Sequence, residues 1–193
     1  MTDAVRKSWR ETFMLLMDRR IAAMALLGFS AGIPILLIFS TLGIWLREAG
    51  VDRPTVTMFS WAALGYSFKF VWAPLVDRLP VPWLTRKLGR RRAWILTAQI
   101  FIFAAIAWMG STNPASGETN LVLMAFAAVL LGFSSATQDI VIDAYRIESA
   151  HPEVQALMSA TYIAGYRVGM IFAGAGALFL ADAFASSLGA YNY

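Results

Sequence analysis

Long runs without a charged residue constrain this chain more than any other feature. The first of them, residues 21–46, contains 26 uncharged residues in succession. A membrane-spanning helix needs about 20 apolar residues, whereas the apolar core of a signal peptide has only about 7–15. The composition agrees, because 59% of the residues are hydrophobic and only 15% are charged. This run therefore predicts a transmembrane helix, not a cleaved leader.

Four further apolar runs follow the first. We predict an all-α membrane protein with five transmembrane helices, called spans 1 to 5 below. Their predicted limits are 21–46, 55–76, 93–110, 121–142 and 156–180. Residues 1–20 form a basic segment, in which apolar residues at helical spacing favour a helix on the membrane surface about as much as a solvated tail. Residues 182–193 are too few and too mixed to span, so we expect a periplasmic tail or the lead-in to a sixth helix.

Lysine and arginine are distributed unevenly between the connections. With the N-terminus in the cytoplasm, the inner segments hold twelve of these residues, and the outer segments hold only Arg47 and Arg53. Short cytoplasmic loops are enriched in lysine and arginine. The distribution therefore predicts a cytoplasmic N-terminus, with the lipid bilayer as partner and no role for nucleic acid.

Four ionisable residues lie within the predicted spans or at their ends. Lys69 is in span 2, Asp139 and Asp143 are near the inner end of span 4, and Arg167 is near the middle of span 5. A charge at the centre of a bilayer costs about 2.5–3.5 kcal/mol on insertion scales. These side chains are therefore expected to face protein, water or a substrate path. Asp139 and Asp143 are four residues apart and share one helix face.

Two interpretations of these charges stay open. Arg167 and a carboxylate of span 4 would form a static ion pair, or the groups would line a water-filled route for a solute and protons. Intramembrane ionisable residues usually serve function, which favours the route and makes Asp139 the stronger proton-carrier candidate. Lys69 either extends to the interface or pairs with a carboxylate, and Asp143 either lines the route or pairs with the basic loop.

Glycines recur in spans 1 and 5. Gly28 and Gly32 have the four-residue spacing that lets helices approach closely, and span 5 contains Gly165 and Gly169 with the same spacing. We interpret these glycines as packing surface. For Tyr162 and Tyr166 of span 5, packing is slightly favoured over binding of a sugar or peptide.

Enzyme chemistry is not predicted. The chain has no cysteine and a single histidine, His151, in a polar connection. This composition excludes a thiol nucleophile and a multi-histidine metal site, and no cofactor is indicated. An intramembrane carboxylate protease would need its two acids on facing helices, whereas Asp139 and Asp143 share one helix.

The connection 74–92 resembles the signature between helices two and three of the major facilitator superfamily. Asp77-Arg78 and Gly89-Arg90-Arg91-Arg92 match the two ends of the pattern Gly-x-x-x-Asp-Arg/Lys-x-Gly-Arg-Arg. The intervening segment is longer than usual, and the leading glycine is replaced. The resemblance implies a cytoplasmic gate between the two halves of a transporter, formed by Asp77, Arg78, Gly89, Arg90 and Arg91.

More narrowly, the chain is similar to the AmpG muropeptide permeases. The similar pieces lie, in the same order, at 28–34, 68–78, 89–94, 135–145 and 165–170. The resemblance implies proton-driven import of anhydromuropeptides from periplasm to cytoplasm across a bacterial inner membrane, for cell-wall recycling. It further implies a substrate and proton pathway that includes Lys69, Gln138, Asp139, Asp143, Tyr166 and Arg167. Within this region, 138–143 is also similar to acetyl-CoA transporters.

The predicted number of spans departs from the resemblance. Such transporters have about a dozen helices in two related bundles, with the site between them. Five spans predict an incomplete N-terminal six-helix bundle, which missing C-terminal helices or a second chain would complete. Two alternatives stay open: a transporter of another solute, such as an acyl-CoA or a sugar, and a truncated membrane protein that does not transport.

Overall fold

The computed structural model describes residues 18–149 and 152–188. Every regular element in this part of the chain is a helix, which confirms the predicted all-α class. Four helices are long and apolar enough to cross a bilayer: Arg19–Glu48, Arg90–Ser111, Glu118–Ser149 and Val154–Phe184. They correspond to spans 1, 3, 4 and 5. Most of the predicted basic segment, His151 and residues 189–193 lie outside the described residues.

The spans are built from the following helices, in chain order. Span 1 comprises Arg19–Leu36, a π-helical turn Leu37–Thr41, and Leu42–Glu48; span 2 comprises Arg53–Phe59, a 3-10 turn Ser60–Ala63, Leu64–Ser67 and Lys69–Arg78. A short helix, Leu84–Leu88, leads to span 3, Arg90–Ser111, and a 3-10 turn, Pro114–Ser116, leads to span 4, Glu118–Ser149. Span 5 comprises Pro152–Ile171, a π-helical turn Phe172–Gly176, and Ala177–Leu188.

Aspartates cap the first helices of spans 1 and 2. The carboxylate of Asp18 accepts a hydrogen bond from the Arg20 backbone N–H at 2.9 Å, and that of Asp52 accepts one from the Thr55 backbone N–H at 3.4 Å. Such caps satisfy backbone N–H groups that have no partner within the helix. Hydrogen bonding with Thr55 lowers the pKa of the Asp52 carboxyl below its ordinary value.

Span 2 is bent, and it is not one continuous helix. Ser60–Ala63 form a 3-10 turn, and Phe68, with φ −98° and ψ 8°, interrupts the helix directly before Lys69. The bend lies where the backbones of spans 2 and 4 are in close contact. At that point a methyl group added at Gly132, in span 4, would overlap the carbonyl oxygen of Ala62, in span 2. The interruption places Lys69 at the start of the inner half of span 2.

Two apolar clusters fill the interior, named outer and inner after the predicted orientation. The outer cluster includes Ile38, Leu42, Trp45, Leu46, Phe59, Ile102, Met109, Met124 and Leu131. The inner cluster includes Ile21, Met24, Val76, Ile95, Val141, Ile142 and Met158. Between them along span 4 lies a polar band, defined by the buried residues Ser134, Ser135, Thr137 and Gln138. Buried polar groups cost free energy unless they are hydrogen-bonded, so apolar packing does not explain this band.

Spans 1 and 5 pack backbone against backbone. A methyl group added at Gly28 would overlap the carbonyl oxygen of Tyr162, and one added at Gly165 would overlap that of Ala25. Gly32 and Gly169 make equivalent contacts one turn further along. These four glycines are therefore packing surface, as their spacing predicted.

The π-helical turns of spans 1 and 5 meet at the outer end of this contact. Thr41, in the turn of span 1, donates its buried hydroxyl to the carbonyl oxygen of Ala173, in the turn of span 5, at 3.1 Å. A π-helical turn disrupts the regular backbone ladder and is often found at functional sites. The bond satisfies a carbonyl at this irregular point and ties the outer halves of the two spans together.

We expect Gly165→Ala to destabilise the protein by about 1–3 kcal/mol, because the added methyl group must push two helix backbones apart. Thermal unfolding of the purified protein in detergent measures the effect. The matched control is Gly110→Ala, since a methyl group there meets nothing within 4 Å and alanine favours the helix. Equal unfolding temperatures for the two variants would contradict the close backbone contact.

Candidate functional site

The polar band of span 4 continues into Asp139. Ser135 and Gln138 are fully buried, and Asp139 is half-buried. Residues three and four apart on a helix are neighbours, so Ser135, Gln138 and Asp139 form one continuous polar face. Gln138 and Asp139 were predicted as pathway residues from the sequence, and both lie here.

Asp139 is surrounded by polar side chains of spans 2 and 5. Tyr162 donates its hydroxyl to Oδ1 of Asp139 at 3.2 Å. Lys69 lies within electrostatic range of the carboxylate, although no nitrogen–oxygen contact within 4.0 Å joins the two among the described ion pairs. Tyr166 is also within electrostatic range, and its ring lies 6.0 Å from that of Tyr162. The structure therefore brings together the predicted residues Lys69, Asp139 and Tyr166.

Side chains missed by the sequence analysis connect this cluster to spans 1 and 2. The amide nitrogen of Gln138 donates to the Ser30 hydroxyl at 3.4 Å, and the Trp72 indole N–H donates to the Thr137 hydroxyl at 3.2 Å. Ser30 lies between Gly28 and Gly32, where close helix packing brings a small polar residue into the interior. With these bonds, spans 1, 2, 4 and 5 all contribute to one polar cluster.

Asp143 lies at the edge of this cluster. It is exposed and pairs with Arg146 on its own helix at 3.1 Å. Among the described ion pairs, none joins Asp143 to the basic loop. Arg146 also donates to the Ser159 hydroxyl, which connects spans 4 and 5 at their inner ends. Within the described residues no group of three or more acidic or histidine side chains lies close enough to hold a metal ion.

Arg167 does not pair with a carboxylate of span 4. Its side chain is exposed, and Nη1 lies 3.9 Å from the sulfur of Met170. Gly165 and Gly169 face span 1, and each residue rotates about 100° around a helix axis. Arg167 therefore lies on the far side of span 5. This geometry excludes the static ion pair between spans 4 and 5, and Tyr162 makes the contact with Asp139 instead.

An apolar groove of about 630 Å³ runs between spans 2 and 4. Its lining includes Met58, Trp61, Leu64, Phe68, Val129 and Phe133. Neither Lys69 nor Asp139 is among its lining residues. The groove therefore brings none of the predicted pathway residues together and has few polar groups to orient a solute.

Arg91 joins three helices at the predicted cytoplasmic face. Its guanidinium contacts the carboxylate of Asp77, at the end of span 2, at 2.6 Å and that of Glu148, at the end of span 4, at 2.5 Å. Asp77 and Arg91 were predicted as gate residues, and their contact holds spans 2 and 3 together within this bundle. Glu148 was missed, although a carboxylate beyond the inner end of span 4 was visible in the sequence.

The other predicted gate residues lie around Arg91 without contacting its carboxylate partners. Arg78, Gly89 and Arg90 are exposed. Gly89 has a φ of +79° and precedes the first residue of span 3. A side chain is disfavoured at this backbone conformation, so the glycine permits the sharp entry into span 3 that positions Arg91.

We expect Arg91→Gln to lower stability by about 1–2 kcal/mol, since two charge-assisted hydrogen-bonded contacts are lost and both carboxylates are partly solvated. Arg92→Gln is the control, because Arg92 is an exposed neighbour with the same charge. Thermal unfolding of both variants tests the expectation. An Arg92 variant as destabilised as the Arg91 variant would contradict the bridging role.

Comparison with known proteins gives consistent matches over most of the chain. The family model described as acetyl-coenzyme A transporter 1 matches residues 20–186. The chain is 42% identical over 165 residues, 86% of its length, to a protein of Rickettsia conorii named putative transporter AmpG 4. It is 40% identical over 172 residues, 89% of its length, to a protein of Escherichia coli named anhydromuropeptide permease.

The curated relatives are considerably longer than the matched region. The match covers 39% of the Rickettsia conorii protein and 34% of the Escherichia coli protein. A third relative, putative transporter AmpG 3 of Rickettsia prowazekii, is 37% identical over 155 residues, which are 80% of this chain and 36% of that protein. The chain therefore spans less than two fifths of the length of these relatives.

Proposed function

This chain belongs to the transporter family that the acetyl-coenzyme A transporter 1 model describes. From that membership we propose that it is the N-terminal part of a proton-coupled importer of anhydromuropeptides. In this proposal the solute moves from periplasm to cytoplasm across the bacterial inner membrane, for cell-wall recycling. The chain is a multi-pass membrane protein whose relatives are transporters and permeases, not enzymes. The Escherichia coli relative is named anhydromuropeptide permease, which supports the choice of solute.

The chemistry of the polar cluster favours a sugar–peptide over a coenzyme A ester. The cluster offers partly exposed hydroxyl and phenol groups from Ser30, Tyr162 and Tyr166, which suit the neutral hydroxyls and amides of a muropeptide. A coenzyme A ester carries several phosphate charges, which cationic side chains would have to balance. Lys69 is the only cation of the cluster among the described residues, and Asp139 opposes its charge.

The half-buried carboxylate of Asp139 is the observation that most supports proton coupling. A charge inside a membrane protein is costly, and protonation removes that charge without moving the backbone. The Tyr162 hydroxyl and the nearby Lys69 charge stabilise the ionised form. Gain and loss of one proton therefore change the hydrogen bond between spans 4 and 5 and the electrostatic attraction between spans 2 and 4. This is the kind of change that couples a proton to a conformational step.

The remaining predicted residues have places in this scheme. We assign Lys69, Gln138, Asp139, Asp143, Tyr166 and Arg167 to the solute and proton pathway. The exposed side of span 5 that carries Arg167 would face the helices that complete the transporter, whether they come from the same reading frame or from a second chain. Asp77, Arg78, Gly89, Arg90 and Arg91 would form the cytoplasmic gate, with Glu148 as an added partner of Arg91.

We expect Asp139→Asn to abolish proton-driven accumulation of labelled anhydromuropeptide while exchange across the membrane without a gradient continues. Asparagine keeps the shape and hydrogen bonding of the side chain but cannot gain or lose a proton at neutral pH. Uptake is measured in membrane vesicles from cells that express the complete reading frame. Labelled acetyl-coenzyme A is tested in the same vesicles as the alternative solute.

Asp182→Asn is the control for this experiment, because Asp182 is an exposed carboxylate near the far end of span 5. It removes the same charge outside the cluster and should leave accumulation unchanged. Accumulation by the Asp139 variant at the level of the unmodified protein would remove Asp139 from the coupling mechanism. Uptake of the coenzyme A ester alone would overturn the assigned solute.

Orientation is tested with single cysteines, since the chain has none of its own. Ser116 and Lys87 are exposed residues of the connections on opposite sides of the membrane. With a cytoplasmic N-terminus, a membrane-impermeant thiol reagent should label Ser116→Cys in right-side-out vesicles and Lys87→Cys only in inverted ones. The reverse pattern would contradict the orientation.

A further inference from the structure

Three oxygen atoms of the polar cluster are buried without a hydrogen-bond partner among the described residues. They are the Tyr66 hydroxyl, Ser135 Oγ and Gln138 Oε1. Unpartnered buried polar atoms are costly and uncommon in native proteins. Ser135 and Gln138 have no exposed surface at all. Three such atoms on two packed spans point to a shared small ligand.

The three atoms belong to one site beside Asp139. The Tyr66 and Ser135 hydroxyls are close enough to interact, although they do not meet the geometry of a regular hydrogen bond. Gln138 follows Ser135 by one helical turn on the same face. Its amide nitrogen is already held by Ser30 at 3.4 Å, which leaves the carbonyl oxygen to bind a different partner.

We propose that Tyr66, Ser135 and Gln138 hold a short chain of water molecules that delivers protons to Asp139. This inference rests on the proton coupling proposed above. Because Ser135 and Gln138 have no exposed surface, they cannot contact a sugar or a peptide. A buried water needs about two to four polar partners, and the two hydroxyls and one carbonyl oxygen supply three.

The helix spacing suits such a chain. Ser135 and Asp139 are four residues apart, which is about 6 Å along the helix axis. Ser135 Oγ has no hydrogen-bond partner among the described residues, so it does not bond to Asp139 directly, and one water molecule with two hydrogen bonds of about 2.8 Å each would bridge the two side chains. Ser135 lies nearer the outer end of span 4 than Asp139 does, so in the proposed orientation it is on the periplasmic side of that carboxylate.

The proton balance of the route is simple. Each hydroxyl or water accepts a proton on its oxygen and releases another from the same oxygen, so the net change is one proton added to the Asp139 carboxylate.

The titratable groups that face this carboxylate are Lys69 and Tyr66 from span 2, Tyr162 and Tyr166 from span 5, and Asp143 from span 4. Tyr162 already donates to Asp139, whereas the buried Tyr66 hydroxyl has no hydrogen-bond partner among the described residues. Tyr66 and Ser135 are then positioning residues that act through water.

The test compares two transport modes of Tyr66→Phe and Ser135→Ala in vesicles that contain the complete protein. We expect proton-driven accumulation of anhydromuropeptide to fall about tenfold, a loss of about 1.4 kcal/mol, while exchange without a gradient stays at the level of the unmodified protein. Ser134→Ala is the matched control. Ser134 is buried next to Ser135, but it lines a separate, smaller groove between spans 3 and 4, together with Trp94 and Thr97. An equal fall in both transport modes, or unchanged accumulation, would overturn the proposal.

A second measurement does not depend on transport. If the site were dry, Tyr66→Phe would remove an unpartnered hydroxyl and raise the unfolding temperature of the purified protein. If a water molecule is bound, the variant removes one of the hydrogen-bond partners of that water, and we expect the unfolding temperature to fall by about 2–4 °C. A rise would overturn the water site. A fall in a protein that takes up no anhydromuropeptide would uphold the water site and refute the proposed solute transport.

Discussion

The backbone contact between spans 1 and 5 determines how the rest of the bundle is arranged. Gly28 and Gly32 on one helix and Gly165 and Gly169 on the other leave no room for a side chain between them. This contact fixes the rotation of span 5 about its own axis. The rotation turns Tyr162 toward Asp139 and Arg167 toward the outside. Four residues without side chains thus decide which polar groups of span 5 reach the interior.

The polar cluster lies between the outer and the inner apolar cluster along the bundle. Above and below it, apolar side chains of spans 1 to 4 fill the interior, and the bilayer supplies no hydrogen bonds to polar groups. The hydrogen-bonded groups of the cluster therefore depend on one another, as the Gln138 amide nitrogen depends on Ser30 and Asp139 on Tyr162. Such dependence means that a change of protonation at Asp139 is transmitted to neighbouring spans, and this is the physical basis of the proposed coupling. The ion pairs of Arg91 hold the inner ends of spans 2, 3 and 4 in place around it.

The sequence predicted the all-α membrane class and the packing role of the glycines, because both depend on hydrophobicity and spacing along one helix. It also predicted Lys69 and Asp139 as pathway residues, since ionisable residues are conspicuous in apolar runs, and the resemblance added Gln138 and Tyr166. It did not predict the partners of these residues. The bend at Phe68, the exposure of Arg167 and the bond from Tyr162 to Asp139 all depend on how two helices rotate against each other. That rotation is set by contacts between distant parts of the chain, and the sequence pattern along a single helix does not predict such contacts. For the same reason Asp143 and Glu148 were alike in the sequence, yet one pairs within its own helix and the other with span 3.

The central claim is that Asp139 borders an aqueous route, and the accessibility of its position to water tests this claim most directly. Asp139→Cys would be the only thiol of the chain, and water-soluble thiol reagents react with the ionised thiolate, which forms in water and not in lipid. The comparison is Ile100→Cys, at an exposed apolar position of span 3, in vesicles open on both sides. The account predicts that the reagent modifies Asp139→Cys and leaves Ile100→Cys unmodified. An Asp139→Cys variant as unreactive as Ile100→Cys would show that the cluster is dry, and would contradict the account.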